Sequence, residues 1–297
     1  MSSYKEQVNL LLKILPEVAK QKCFALHGGT AINLFIRDMP RLSVDIDLTY
    51  IPIEDRQTSM ANILLALKTI QTSIQKLFPD IRIHLKERFL KLQISSNKAL
   101  IKIEVNQINR GLLNDSVELQ LSDKTQQEFD AFCTISVVPL AQLYGGKICA
   151  ALDRQHPRDL FDTKYLLENE GFTDNIKKGF LLLLLSSNRP INEMLNPNLI
   201  DQRQTLIHQF NGMSLEEFTY QDFEKTRHAL IKVINQRLTS YDKQFILAFS
   251  KLKPDWSVYD FKKFPAVKWK LQNLTKLKEN NKEKFNKLNT SLSEILG

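Results

Sequence analysis

The sequence predicts an α/β domain over residues 1–138 followed by a helical domain over residues 139–297, and three observations point there. Short strand-like runs interleaved with helical stretches fill the part before Pro139. Beyond Gly171 the pattern is helical almost throughout, punctuated by Pro190, Pro197, Gly212 and Pro254. A chain of 297 residues with 43% hydrophobic content can bury a sizeable core, and two domains fit that length better than one.

Helical spacing at Val8, Leu11, Leu12, Leu15 and Val18 opens the fold with a helix over residues 4–20, whose end is blurred by Pro16. The run Lys22-Cys23-Phe24-Ala25-Leu26 reads as a strand, and Ala31-Ile32-Asn33-Leu34-Phe35-Ile36 as a helix packed on a core. Between them His27-Gly28-Gly29-Thr30 is a turn from strand to helix, where backbone N–H groups and the helix dipole favour a phosphate. In Arg41-Leu42-Ser43-Val44-Asp45-Ile46-Asp47-Leu48, a strand places Asp45 and Asp47 on one face and Val44, Ile46 and Leu48 on the other. Two adjacent carboxylates need a cation. An isolated D-x-D is more often a solvated strand face, but hard oxygen ligands beside a phosphate-sized turn suit Mg²⁺.

After the loop Ile51-Pro52-Ile53-Glu54-Asp55 a helix runs over residues 56–77, closed by Phe78-Pro79-Asp80. Three strand-like runs follow over residues 81–85, 89–94 and 99–105, the last two joined through a hairpin turn at Ser95-Ser96-Asn97. In the third run Ile101, Ile103 and Val105 share one face, leaving Lys102, Glu104 and Asn106 on the other. Glu104 is either a third carboxylate of the site or an ordinary solvent-facing glutamate. The polar exit Asn106-Gln107-Ile108-Asn109-Arg110-Gly111, of the kind found at the rim of a cleft, favours the first.

Phe132-Cys133-Thr134-Ile135-Ser136-Val137-Val138 reads as another strand, and Pro139 as the first residue of a helix over residues 139–154. Lys147 falls on the mostly apolar side of that helix with Leu140, Leu143, Tyr144, Ala151 and Arg154, so it either snorkels to solvent or aims into a cleft. Gly145 and Gly146 each cost a helix roughly 1 kcal/mol relative to alanine. Either a bound group approaches the backbone there, or another helix crosses at the glycines. After His156-Pro157, Arg158-Asp159-Leu160-Phe161-Asp162 begins a helix to residue 168, where acidic residues often serve only as dipole partners. Further helices are expected over residues 174–185, 199–210, 220–239 and 242–252. A last amphipathic helix is expected over 271–296, with no repeat at a fixed period.

The net charge of +8 favours a polyanionic partner, although an acidic protein is as consistent with it. Its surplus is concentrated in Lys262, Lys263, Lys268, Lys270, Lys276, Lys278, Lys282, Lys284 and Lys287, which makes the C-terminal part the better docking surface. Cys23, Cys133 and Cys149 lack C-x-x-C spacing, which argues against a disulfide framework or zinc site and fits a cytoplasmic protein. No apolar run approaches the ~20 residues of a membrane span, and Met1-Ser2-Ser3-Tyr4-Lys5-Glu6 shows no export signal.

These residues resemble the AbiEii/AbiGii family of nucleotidyltransferase-like toxins, found in bacterial toxin–antitoxin and phage-defence systems. Four blocks between residues 24 and 166 carry the resemblance: the turn from His27 through Gly28, Gly29 and Thr30 to Leu34, the D-x-D strand of Asp45 and Asp47, the helical Lys147, and the R-D-x-x-D run from Arg158 to Asp162. Each alone is weak, and their co-occurrence is fairly specific. The resemblance implies a DNA polymerase β-like nucleotidyltransferase fold, with a mixed sheet and a helical C-terminal domain that contributes Lys147 and Asp159 to the cleft. It also implies nucleotide transfer from an NTP, with tRNA as acceptor in some relatives and GTP binding suggested for others. Growth inhibition would be relieved by an antitoxin from an adjacent gene, commonly carrying a winged-helix domain. The turn here is Gly-Gly rather than the Gly-Ser of the wider superfamily, which leaves open whether Thr30 or Ser43 supplies the hydroxyl.

The expected mechanism has Asp45 and Asp47 holding Mg²⁺ while the N–H groups of Gly29 and Thr30 and the Ser43 hydroxyl cradle the triphosphate beside Gly28. Lys147 would stabilise phosphate charge, and Glu104 or Asp159 would serve as base or extra ligand. Two other readings use the same parts: nucleotidylation of a small acceptor such as an antibiotic, and a non-catalytic NTP-binding module.

Overall fold

The computed structural model describes residues 3–297, so Met1 and Ser2, part of the stretch read for an export signal, lie outside the described residues. The chain divides into two compact units. One runs up to Pro139 and takes back Phe210–Glu217, and the other comprises Leu140–Gln209 and Phe218–Gly297.

The first unit is a mixed seven-stranded sheet with helices. It begins with α1 (Ser3–Ala19), which carries Pro16 inside it, then β1 (Phe24–His27), α2 (Gly28–Ala31) and a wide π-type turn over Ile32–Ile36. Next come β2 (Asp45–Tyr50) and α3 (Arg56–Leu77), whose start is fixed by Asp55 accepting a hydrogen bond from the Thr58 N–H at 3.0 Å. The remainder is β3 (Arg82–Lys86), β4 (Lys91–Ser95), β5 (Leu100–Val105), β6 (Val117–Gln120), α4 (Asp123–Phe129) and β7 (Thr134–Val137). The strand order is β3-β4-β5-β2-β1-β7-β6. The pairs β2–β5 and β1–β7 are parallel and the others antiparallel. Alternation puts Ile46, Leu48, Ile101, Ile103 and Val105 in the core. The sequence reading lacks β6 and α4.

The helical unit contains α5 (Leu140–Asp153), α6 (Pro157–Asn169), α7 (Asp174–Leu184), α8 (Ile191–Leu195) and α9 (Arg203–Thr205). After the excursion into the first unit it continues as α10 (Tyr220–Arg237), α11 (Ser240–Ser250), α12 (Pro265–Asn280) and α13 (Lys282–Leu296). Thr219 and Thr239 each head a helix with a reciprocal capping box, to Asp222 and Asp242. Gly145 of α5 and Gly179 of α7 mark a helix crossing: a Cβ on Gly145 would lie 2.4 Å from the Gly179 carbonyl carbon, and one on Gly179 would lie 1.8 Å from the Ala141 oxygen. Backbone-to-backbone packing of α5 on α7 therefore accounts for Gly145.

Two helical expectations need correction. The segment 199–210 is not one helix, because only Arg203–Thr205 is α-helical before a wide turn over Leu206–Phe210. The segment 271–296 is two helices broken at Asn281, whose side chain accepts from the Lys284 N–H at 2.8 Å and so starts α13 afresh. Among the described residues no helix is long and apolar enough to cross a membrane.

Candidate active site

In the first unit, β1 runs antiparallel to β2 with His27 opposite Asp47, so the turn that leaves β1 begins beside the second aspartate. Gly28 stands at φ +75°, a backbone region costly to residues with a Cβ. A Cβ there would also lie 2.4 Å from the Asp47 Oδ2. Left-handed geometry and lack of space both demand glycine, and they bring the turn's backbone against the carboxylate.

Gly29 is confined by different neighbours. A Cβ on it would come within 2.6 Å of the Arg41 Nη2 and 3.0 Å of the Ser43 Oγ. Arg41 is buried and donates to the Leu42 carbonyl at 2.9 Å. Its segment is held by residues far along the chain: the Leu42 N–H donates to the Met213 oxygen at 2.7 Å, and the Leu215 N–H to the Pro40 oxygen at 3.0 Å. Arg41 and Ser214 are opposed in an antiparallel bridge. The returning segment Phe210–Glu217 thus orders the approach to the D-x-D strand.

Thr30 is buried, and its hydroxyl donates to the Asp45 carbonyl, with the Ser43 Oγ also within 3.1 Å. That hydroxyl ties the turn to β2 at the first aspartate. Of the two hydroxyls the sequence left open, Thr30 has this structural task, and Ser43 stands beside Gly29. The Asn33 amide donates to the Gly29 oxygen at 2.9 Å and closes the turn from the other side.

Glu104 is set by strand register. Asp45 lies opposite Lys102 and Asp47 opposite Glu104 in the parallel β2–β5 pair, and directly opposed residues share a sheet face. Asp45, Asp47 and Glu104 are therefore neighbours on one face, all half-buried. Glu104 is also opposed to Lys91 on β4 and forms an ion pair with it. Among the described residues no group of three His, Cys, Asp or Glu side chains is placed to hold a metal. A metal at this face would meet Asp45 and Asp47, with Glu104 restrained through its Oε1 by Lys91. The polar exit at residues 106–111 begins with a turn in which the Asn106 Oδ1 accepts from the N–H groups of Ile108 and Asn109.

The helical unit holds a second cluster. Lys147 on α5 contacts the Asp159 Oδ1 and the Asp162 Oδ2, each at 2.9 Å, and all three are buried. Arg154 donates to the same Asp159 through Nε at 2.6 Å and Nη2 at 3.1 Å. Burial by itself would push the Asp159 carboxyl up. The adjacent Lys147 ammonium and Arg154 guanidinium outweigh it and hold Asp159 well below the usual carboxylate range. An anion so held is a weak proton acceptor, which argues against Asp159 as the base. The start of α6 is set by Pro157 and by the His156 ring accepting from the Arg158 N–H at 3.1 Å.

Sequence reasoning gave no role to Arg41, Lys91, Arg154 or Asp162. Asp162 and Arg154 sat within quoted motifs or faces, and four- and three-residue helical steps could have paired them with Asp159 and Lys147. Arg41 and Lys91 become neighbours of the site only through long-range pairing.

A family model described as nucleotidyl transferase AbiEii toxin, type IV TA system, matches residues 9–273. No curated protein matches the sequence. Among solved structures the chain is similar to MenT4, a nucleotidyltransferase toxin from Mycobacterium tuberculosis H37Rv. The TM-score is 0.62 at 12% identity, covering 92% of this chain and 95% of that one. At that identity the likeness establishes the fold, which is the α/β architecture with a mixed sheet and many helices expected from the sequence. The family match spans most of the chain and includes the Gly-Gly turn, both aspartates, Lys147 and Asp159. The chain belongs to the AbiEii family of nucleotidyl transferase toxins of type IV toxin–antitoxin systems.

Proposed function

We propose that the chain transfers a nucleotide from an NTP to an RNA acceptor, tRNA, with Mg²⁺, and inhibits growth by doing so in the cytoplasm. The observation that carries this reading is the contact of the Gly28 turn with Asp47, on the face that Asp47 shares with Asp45. Hard carboxylate oxygens beside a turn with no room for side chains fit Mg²⁺, which takes one or two carboxylates and completes its shell with phosphate oxygens and water. Held by Asp45 and Asp47, the ion would supply charge neutralisation for the triphosphate.

The chain's own residues position the reactants. The Gly28-Gly29 turn backs the phosphates, the Ser43 hydroxyl donates to them, and Arg41 adds positive charge behind Gly29. Thr30 holds the turn on β2 through the Asp45 carbonyl. The acceptor hydroxyl oxygen bonds to the α-phosphorus as the bond to pyrophosphate breaks, the hydroxyl proton passing to water and pyrophosphate leaving as the second product. Asp159, fixed as an anion by Lys147 and Arg154, is a positioning residue that sets α5 against α6. The chain's basic character, with net charge +8, supports a nucleic-acid acceptor. Membership of a toxin–antitoxin family supports an antitoxin partner, which on this reading is encoded by an adjacent gene and carries a winged-helix domain.

The test incubates the protein with each labelled NTP in turn, Mg²⁺ and total RNA. Label in the tRNA band with matching pyrophosphate release is the expected result. Label on a small molecule only, or tight NTP binding without pyrophosphate release, would overturn the RNA acceptor or the catalysis.

A further inference from the structure

Lys270, one of the lysines that the sequence assigns to a docking surface, faces inward. It is 7% exposed, and its ammonium donates to the backbone oxygens of Ser187, at 2.6 Å, and of Arg189. Those carbonyls carry only partial charge. Glu193, the acid that acts on it from a distance, is engaged by the Arg189 guanidinium, and among the described residues no carboxylate forms an ion pair with Lys270. A buried cation without a counter-ion is costly, and an ammonium has three N–H donors of which two are accounted for.

The same lysine lines a cavity of about 160 Å³ within the helical unit, walled by α8, α11, α12 and α13. Asn188 and Pro190, which alternate with Ser187 and Arg189, whose carbonyls accept from Lys270, line it too, which puts the ammonium at that wall. The rest is mostly apolar, with Ile191, Leu274, Leu277, Phe285 and Leu292 among the side chains. The other polar lining groups are uncharged: the Ser250 hydroxyl donates to the Asn289 Oδ1 at 2.6 Å, the Asn289 amide to the Phe285 oxygen at 2.9 Å and the Asn192 amide to the Ser291 hydroxyl at 3.4 Å, with Asn188 and Asn273 beside them. An apolar cavity of roughly 150 Å³ admits a molecule the size of benzene. One positive charge in a lining that is otherwise uncharged and largely apolar matches one negative charge on a ligand with an apolar body.

We propose that this cavity is a binding site for a small monocarboxylate with an apolar body of benzene-like size, its carboxylate paired with Lys270. A phosphate is a poorer match, because nothing else in the lining could neutralise a second charge. Burial lowers the Lys270 ammonium to about 8, against the smaller opposing influence of Cys149 and Glu193, so the group stays mostly cationic at neutral pH.

The test titrates the intact protein with benzoate and with its neutral isostere benzamide, by calorimetry and by methyl NMR. One benzoate binds per chain, shifting the methyl signals of Leu274, Leu277 and Leu292. Benzamide binds about ten-fold more weakly or less. Lys270→Met, which keeps the stem and removes the charge, brings benzoate down to the level of benzamide. Equal affinity for the two compounds, shifts confined to other methyls, or no saturable binding would overturn the proposal. The wild-type comparison decides the matter even where Lys270→Met fails to fold.

Discussion

Asp47 on β2 and Glu104 on β5 lie directly opposite each other in a parallel strand pair, yet Glu104 is ion-paired to Lys91 on the strand beyond. The site therefore has the Asp47 carboxylate against the turn, Asp45 on the same face, and a third carboxylate restrained by a lysine. Glu104→Gln is expected to lower nucleotide transfer about ten-fold or less, whereas Asp47→Asn lowers it by about 10²- to 10³-fold. Lys91→Met, which releases Glu104, is expected to lower the Mg²⁺ concentration that gives half-maximal rate. Single-turnover rates across a Mg²⁺ series check both, and equal losses in Glu104→Gln and Asp47→Asn would make Glu104 a full ligand.

Gly28 tests the contact between turn and carboxylate. Alanine there meets both the left-handed backbone and the Asp47 Oδ2. Gly28→Ala is expected to destabilise by about 1–2 kcal/mol through the backbone alone, and to lose transfer because Asp47 must shift. Urea melts and pyrophosphate release measure the two effects separately. Full activity at reduced stability would show that the Asp47 position does not matter.

Gly179 tests the crossing of α5 and α7. Its Cβ would collide with the Ala141 carbonyl, which is backbone and cannot swing aside. Gly179→Ala is expected to cost about 1–3 kcal/mol or more, seen as a lower thermal midpoint. An unchanged midpoint would mean that the helices are less closely packed.

Asp159 sets a pH dependence. Its folded carboxyl is held below the unfolded value of about 3.9, so the folded state binds fewer protons than the unfolded one in that window. Its contribution is complete above about pH 4 and is lost as pH falls further, towards the depressed folded value. Asp159→Asn leaves Lys147 buried with one carboxylate fewer and is expected to cost about 3–5 kcal/mol at pH 7. In urea denaturation the gap between the two proteins stays constant from pH 7 to about 5 and narrows below about 4. A gap independent of pH down to about 2 would contradict the ion cluster.

How much of this was legible in the sequence depended on the range of the interaction. α3 was readable because 22 residues of helical period sit between Asp55 and Pro79. The shared face of Asp45 and Asp47 followed from strand alternation alone. β6 is a four-residue strand, largely exposed at the sheet edge, and offers little apolar pattern to read. Glu104 was ambiguous because strand order, not spacing, puts it opposite Asp47. The pairing of Met213 and Leu215 with residues 40–42 spans more than 170 residues and leaves no local trace. Lys270 has the composition of a surface lysine, and only the carbonyls of Ser187 and Arg189 turn it inward.

The most direct test of the central claim is nucleotide transfer by the double variant Asp45→Asn with Asp47→Asn, assayed with labelled NTP, Mg²⁺ and tRNA beside the wild type. The wild type labels RNA and releases pyrophosphate, and the variant does neither while keeping the wild-type thermal midpoint. Labelling of RNA at the wild-type rate by the double variant would contradict the account.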